Sequence, residues 1–172
     1  MGIKKEARPI RIDGDVAFIT LTKGYEATID TADVALVSGK HWYAYACLNT
    51  VYAARSCIRD GVRTSVSLHR TILEVPDGMK VDHVDGNGLN NRRANLRQAS
   101  HSQNICNQRR RADNRSGFKG VSPSRRTSRK WMARITVEGQ RKRLGYFDTP
   151  EEAHAAYVEA SRRLHGNFAR ST

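Results

Sequence analysis

Long apolar runs are missing from this chain. Its 172 residues have a mean hydropathy of -0.65, and no apolar stretch approaches the ~20 residues that a bilayer-spanning helix needs. The first ten residues, MGIKKEARPI, contain two lysines but no apolar segment typical of a secretory signal. We therefore expect a cytoplasmic protein that makes no use of a membrane.

Cysteines are few. The three present, Cys47, Cys57 and Cys106, are an odd number, and no two of them have the C-x-x-C spacing. This pattern supports neither a disulfide framework nor a cysteine-based zinc site.

Acidic residues are also scarce, with 17 against 30 lysines and arginines, which gives a net charge of +13. The excess is concentrated from Gln108 onward, where 16 basic and 6 acidic residues give +10. Such a concentration predicts a polyanionic partner, above all nucleic acid.

The hydrophobic pattern predicts an α+β protein with three parts. Residues 1–67 look β-rich, with strand-like runs such as VAFITL, YEATID and TVYAARSCI. In residues 68–107, LHRTILEV predicts a short helix, and Ser100 with Gln103 predicts the capped start of another. A charged segment, 108–116, predicts a linker. Residues 117–172 predict three short strands and a helix that begins at Thr149 and Pro150, with Ala153, Tyr157, Ala160 and Leu164 facing the sheet.

Residues 82–104 combine the side chains that phosphodiester hydrolysis needs. A histidine such as His83 can take a proton from water near neutral pH. A hard divalent cation, which prefers oxygen ligands, can neutralise the charge that develops on the phosphate. Asp82 and Asn104 offer such oxygens, and Asn95 is a candidate to orient the His83 ring. Taken singly, Asp82 could be a turn residue, His83 a structural histidine and Asn95 a residue that holds a loop.

The spacing resembles the HNH nuclease motif. Asp82-His83 is followed by an Asn twelve residues after the His, and by another Asn nine residues later. By this resemblance, two strands and a helix form a ββα-metal module at about 68–107. His83 is its general base, Asn95 orients that base, and Asp82 and Asn104 bind the metal. Asn replaces the family's final His at position 104, as in phage-type members, which favours Mg²⁺ or Mn²⁺ over zinc. Nearby arginines could contact phosphates or simply be solvated, namely Arg92, Arg93 and Arg97.

The strand KWMARITVEG predicts a DNA-binding face in the last part of the chain. Alternation puts Trp131, Ala133 and Ile135 under the helix and Lys130 and Arg134 on the opposite face. Arg141 and Arg143 on the next strand should join that face, and Arg125 and Arg126 in the preceding loop should contact phosphates. Whether the face reads bases or contacts only the backbone stays open.

Residues 117–172 resemble the Apetala/ethylene-response-factor DNA-binding domain of plants. The matched features include Gly120-Val121, Lys130-Trp131-Met132-Ala133 and Leu144-Gly145-Tyr146-Phe147. By this resemblance, a three-stranded antiparallel sheet enters the major groove and one helix packs behind it. Ser122 and Arg134 depart from the plant pattern, so the plant target sequence should not apply.

These observations predict a metal-dependent HNH DNA endonuclease of the phage or homing type, encoded by a phage or mobile element and acting in the host cell. Its parts would be a leader and nuclease domain at 1–107, the linker at 108–116 and the DNA-binding domain at 117–172. It would nick double-stranded DNA or, as a homodimer, cut both strands, and removing residues 117–172 should weaken binding more than chemistry. The alternative is a non-catalytic DNA-binding regulator with a degenerate nuclease module. RNA as substrate fits the charge but lacks an aromatic stacking platform.

Overall fold

The computed structural model describes residues 7–47, 50–108, 110, 113–124 and 130–170. Its contacts divide the chain into two compact units, one up to Gln98 and one from Ala99 onward. Small antiparallel sheets and a few helices make up both units, which is compatible with the α+β class. The division falls inside the predicted nuclease module instead of at the charged segment 108–116, and the limits of the functional domains stay predictions. Within the described ranges, no helix combines the length and the hydrophobicity that crossing a membrane requires.

The first sheet of the N-terminal unit is antiparallel, and its strands follow one another in chain order. They are β1 (Ile10–Asp13), β2 (Val16–Thr20) and β3 (Glu26–Asp30). Buried residues alternate with more exposed ones along β2 and β3, because successive side chains of a strand point to opposite faces. Ala17, Ile19, Ala27 and Ile29 form the buried face.

The second sheet packs its core around Trp42. It consists of β4 (Tyr43–Cys47), β5 (Thr50–Arg59) and β6 (Val62–Ser67), again antiparallel and in chain order. The indole nitrogen of Trp42 donates to the carbonyl of Val37 at 3.0 Å, in the short helix α1 (Val34–Val37). This bond allows the large ring to be buried without leaving its one donor unpaired.

A short helix and a two-stranded sheet complete this part of the chain. Helix α2 (Leu68–Ile72) ends earlier than LHRTILEV predicted, because the next residues become extended ahead of Pro76. Strands β7 (Lys80–His83) and β8 (Leu96–Ala99) pair with each other, and the amide of Val84 extends the pairing by donating to the carbonyl of Asn95 at 2.9 Å.

Two capped helices and one sheet form the C-terminal unit. Both predicted capping boxes are present, at the start of α3 (His101–Asn107) and of α4 (Pro150–His165). The strands are β9 (Val121–Pro123), β10 (Trp131–Val137) and β11 (Gln140–Phe147), arranged antiparallel with β10 in the centre.

Helix α4 packs on this sheet through one face. Ala153, Tyr157 and Ala160 are buried as expected, and Ala133 and Ile135 of β10 are buried as well. Leu164 is the exception, since it is 38% exposed while Ser161 is buried. The contact face therefore turns by part of a helical turn toward Ser161 at the end of α4.

Candidate active site

The site begins at the end of β7, where Asp82 and His83 are consecutive and each is 5% exposed. Neighbouring residues of a strand point to opposite faces, so their common burial requires cover on both sides. On one side the ring of His69 packs on His83, and on the other the guanidinium of Arg97 pairs with Asp82.

The imidazole of His83 is held by Asn91. Its Nε2 lies 3.3 Å from Oδ1 of Asn91, which is fully buried. The amide of Asn91 is itself oriented, because its Nδ2 donates to the carbonyl of Gly88 at 3.4 Å. An amide oxygen can only accept, so in the neutral ring Nε2 carries the proton and donates it to this bond. The lone pair that could accept a proton from water then lies on Nδ1.

Burial disfavours the charged form of this imidazole. It lowers the pKa of His83, and the bond to Asn91 and the charges of Asp85 and Asp82 offset only part of that effect. The pKa of His69 falls further, to about 3, chiefly through burial and then through the neighbouring His83 and Arg70. The two rings meet edge to face with centroids 5.1 Å apart. A neutral imidazole is the form that a general base requires.

Asn95, which the sequence predicts to orient His83, holds the loop between β7 and β8. Its Nδ2 donates to the carbonyl of Asn90 at 2.8 Å and to Oδ1 of Asp85 at 3.0 Å. Its Oδ1 accepts from the backbone amide of Asp85, also at 3.0 Å. Both ends of its amide thus bond within the loop that carries Asn91, and a role of Asn95 in orienting His83 stays a prediction.

The same loop is joined to the first sheet by backbone hydrogen bonds. The amide of Thr28 in β3 donates to the carbonyl of Leu89 at 2.9 Å, and the amide of Asn91 donates to the carbonyl of Thr28 at 2.8 Å. The β-rich segment therefore helps to place Asn91 against His83.

Gly88 lets the loop approach β5 closely. Its amide donates to the hydroxyl of Thr50 at 3.1 Å. A Cβ at this position would lie 2.6 Å from both the carbonyl oxygen of Val51 and a ring carbon of Tyr52. Because the nearest atoms include backbone, only glycine fits here without a shift of the chain. The Tyr52 ring also contacts both histidines, with its centroid 5.7 Å from each.

Asp82 is the residue around which oxygen ligands for a cation could assemble. Its Oδ2 accepts from Nε of Arg97 at 2.9 Å and lies 2.8 Å from Nη2 of the same side chain. No group of three His, Cys, Asp or Glu residues with metal-ligand geometry occurs among the residues described. A carboxylate and an amide oxygen are nevertheless hard donors, which fit Mg²⁺ or Mn²⁺ better than zinc.

Asn104, the second predicted ligand, lies on α3 in the C-terminal unit. Its backbone amide is part of the helix and donates to the carbonyl of Ser100 at 3.0 Å. Its side chain is half-buried and makes no hydrogen bond to the part of the chain that the structure describes. An amide oxygen such as that of Asn104 is a hard donor of the kind that Mg²⁺ accepts.

The remaining arginines near the motif, Arg92 and Arg93, form ion pairs with the first sheet and its following turn. Arg92 pairs with Asp15 and, at 2.7 Å, with Asp30. Burial raises the pKa of Asp30, but hydrogen bonds from Arg92 and from the Arg93 backbone outweigh it and lower the pKa overall. Arg93 makes a forked contact with the buried carboxylate of Asp33, with its shortest distance at 2.7 Å. Both guanidiniums thus serve the structure, and their contact with DNA stays a prediction.

Three of the predicted DNA-binding residues, Arg134, Arg141 and Arg143, lie in the strands of the C-terminal sheet. Arg134 pairs across the strands with Arg143, and Thr136 with Arg141, so these side chains share the exposed face. Lys130, directly before β10, is exposed too. Lys142 lies opposite Ile135 and so belongs to the other face. Arg125 and Arg126 fall outside the described residues.

Comparison with known proteins relates the chain to an endonuclease family and to a phage protein. Residues 68–105 match the family described as HNH endonuclease. Protein 3.8 of Escherichia phage T7 is 38% identical over 97 residues, which cover 56% of this chain and 78% of the phage protein.

The chain belongs to the family of phage T7 protein 3.8. Its residues 68–105 form an HNH endonuclease domain, and this supports a nuclease function. An uncharacterized HNH endonuclease of Acanthamoeba polyphaga mimivirus is 30% identical over 110 residues, covering 60% of this chain and 56% of that protein. No solved structure is significantly similar.

One contact of the HNH domain was not predicted from the sequence. Asn91 supplies the bond to His83, although it stands in a run of asparagines and arginines where a loop role was equally plausible. For His69, the sequence suggested only a place near the site or a supporting role. The structure supplies the contact itself, because His69 packs on the His83 ring from α2.

Proposed function

We propose that this protein is a metal-dependent DNA endonuclease of the HNH type that hydrolyses phosphodiester bonds in double-stranded DNA. His83 is the general base, through Nδ1, and Asn91 and Asn95 set its orientation. The observation that carries the proposal is the buried His83, bonded to Asn91 and directly following Asp82 within the HNH domain. Removal of a proton from water requires the neutral form of the imidazole, which burial favours, at hydrogen-bond reach of the attacking oxygen.

Asp82 and Asn104 would hold the divalent cation, Mg²⁺ or Mn²⁺. When bound, a cation of this kind stabilises the negative charge of the transition state and of the leaving 3′ oxygen. The oxygen character of both donors supports this choice. In the protein without a cation, the ion pair with Arg97 balances the negative charge of Asp82.

The exposed face of the C-terminal sheet is the proposed DNA-binding surface, as in the Apetala/ethylene-response-factor family. The cross-strand pairing of Arg134 with Arg143 supports it, since it concentrates positive charge on the side of the sheet away from α4. In this proposal residues 117–172 select the site, and residues 1–107 carry out the cleavage.

The relationship to a phage protein supports a phage or homing-type role in the cytoplasm of a host cell. One HNH domain per chain cuts one strand, so cleavage of both strands would require a homodimer.

Plasmid cleavage with His83→Ala tests the proposal. In the presence of Mg²⁺ the native protein should nick supercoiled plasmid, and His83→Ala should abolish nicking while retaining duplex binding in a gel-shift assay. His41→Ala, a histidine outside the HNH domain, is the matched control and should cleave normally. Binding without any metal-dependent cleavage by the native protein would instead favour a non-catalytic DNA-binding regulator.

A further inference from the structure

Helix α3 carries the predicted metal ligand Asn104 and is only seven residues long, His101–Asn107. A helix of this length is marginal by itself and depends on interactions at its ends. Its first turn is fixed by the capping box of Ser100 and Gln103, whose side chains and backbone amides bond reciprocally. The last carbonyls of a helix have no partner within it, so the opposite end needs a donor from elsewhere.

Lys119 supplies that donor. Its Nζ donates to the carbonyl of Cys106 at 2.7 Å and to the carbonyl of Gln108 at 2.6 Å. A cation at the C-terminal end of a helix is favourable both as a hydrogen-bond donor and against the helix dipole. The ammonium is half-buried, and burial lowers the pKa of Lys119 to about 8. Lys119 therefore stabilises the C-terminal end of α3 and is not a solvated surface charge.

The end of α4 provides a second attachment for α3. Nδ1 of His165, the last residue of α4, lies 3.4 Å from Sγ of Cys106, within hydrogen-bond distance for sulfur. The 3-10 turn that follows, Gly166–Phe168, also contacts α3. The contacts of Lys119 and His165 are with Cys106 and Gln108. Cys106 follows Asn104 by two residues, about half a helical turn.

We propose that Lys119 and His165 are positioning residues of the nuclease reaction, because they fix the C-terminal end of α3 and with it the carboxamide of Asn104. This inference rests on the proposed function, in which Asn104 is a ligand of the cation. It assigns residues of the C-terminal unit a part in the chemistry as well as in DNA binding. Deletion of residues 117–172, which removes both attachments, should therefore lower the rate of cleavage and not only the affinity for DNA.

Hydrogen exchange and steady-state kinetics on the full-length Lys119→Met variant test this proposal. Amide exchange from Asn104 to Gln108 should accelerate about 10-fold or more, because the end of the helix loses its donor. The kcat of plasmid nicking should fall about 10- to 100-fold, a range typical of residues that orient a metal ligand. The KM and the affinity for duplex in EDTA should change less than about 2-fold. Lys119→Arg, which retains a donor, should recover part of kcat.

Lys142→Met is the matched control, because Lys142 is an exposed lysine of the same unit, on β11. In this variant both α3 exchange and kcat should be unchanged. His165→Phe gives a second, independent variant if Lys119→Met does not fold. Unchanged amide exchange in α3 would show that Lys119 does not hold the end of this helix. A raised Kd for duplex at constant kcat would assign Lys119 to DNA binding instead. If Asn104→Ala cleaves normally, Asn104 is not a metal ligand. The contact of Lys119 with the end of α3 would still stand if the exchange result supports it.

Discussion

Arg97 and Asp82 form an ion pair at the centre of the HNH domain, with Nη2 and Oδ2 2.8 Å apart and side chains that are 18% and 6% exposed. The carboxylate that the sequence singles out as a metal ligand thus has a positive partner on the adjacent strand, β8. A cation bound at Asp82, as proposed, would neutralise the same carboxylate that Arg97 neutralises.

The first prediction concerns this pair. Arg97→Met removes the counter-charge and leaves a buried carboxylate, which should lower the free energy of unfolding by about 3–5 kcal/mol. Because a ligand that binds only the folded state stabilises it, Mn²⁺ should raise the stability of Arg97→Met more than that of the native protein. Urea denaturation with and without Mn²⁺ measures both effects. Arg63→Met, an exposed arginine of β6, is the control. An equal gain from Mn²⁺ in all three proteins would show that Arg97 and the metal do not share Asp82.

The second prediction separates the roles of Asn91 and Asn95. Asn91→Leu removes the acceptor for Nε2 of His83 at nearly constant volume, so kcat should fall about 10- to 100-fold while DNA binding is retained. The nitrogen NMR shifts of His83 should report a single protonated Nε2 in the native protein and a mixture of tautomers in Asn91→Leu.

Asn95→Leu should act differently, because its three hydrogen bonds hold the loop. We expect a loss of stability first and a change at His83 only as a consequence. If Asn95→Leu shifts the His83 tautomer without destabilising the protein, the direct role that the sequence predicts for Asn95 would be restored.

A third prediction concerns the C-terminal sheet. If Arg143 contacts a phosphate, Arg143→Ala should lower the slope of log affinity against log salt by about 0.9. Lys142→Ala removes the same charge from the neighbouring position on the opposite face, and should leave the slope unchanged. Fluorescence anisotropy with a labelled duplex over a range of salt concentrations provides the measurement. Identical slopes for the two variants would contradict the assignment of the DNA-binding face.

The fourth prediction is a dependence of stability on pH that arises from His69. Its pKa is about 3 in the folded protein and near its usual 6.5 in the unfolded chain. Between these values the unfolded chain binds more protons, so stability falls as the pH decreases below 6.5, by at most about 1.4 kcal/mol per pH unit. Denaturation midpoints measured from pH 7.5 downward should show this decline, and His69→Phe should reduce its slope. An unaltered slope in His69→Phe would place the acid sensitivity at another group.

Local rules accounted for much of what the sequence predicted correctly. The capping boxes at Ser100 and Thr149 and the alternation along β10 depend on residues within a few positions of each other. Those interactions form in the same way in most folds, so pattern and propensity are sufficient to find them. The end of α2 and the exposure of Leu164 were less predictable, because each depends on what packs beyond the element itself.

The sequence by itself determined that a histidine, a carboxylate and two asparagines stand at the HNH spacing in a strongly basic chain. Only the tertiary structure decided which asparagine touches the imidazole, and that Arg92 and Arg97 are paired with carboxylates instead of being solvated. The physical reason is distance along the chain: Arg92 meets Asp30 across 62 positions, and the choice among many possible partners is made by the packing that brings two distant segments together.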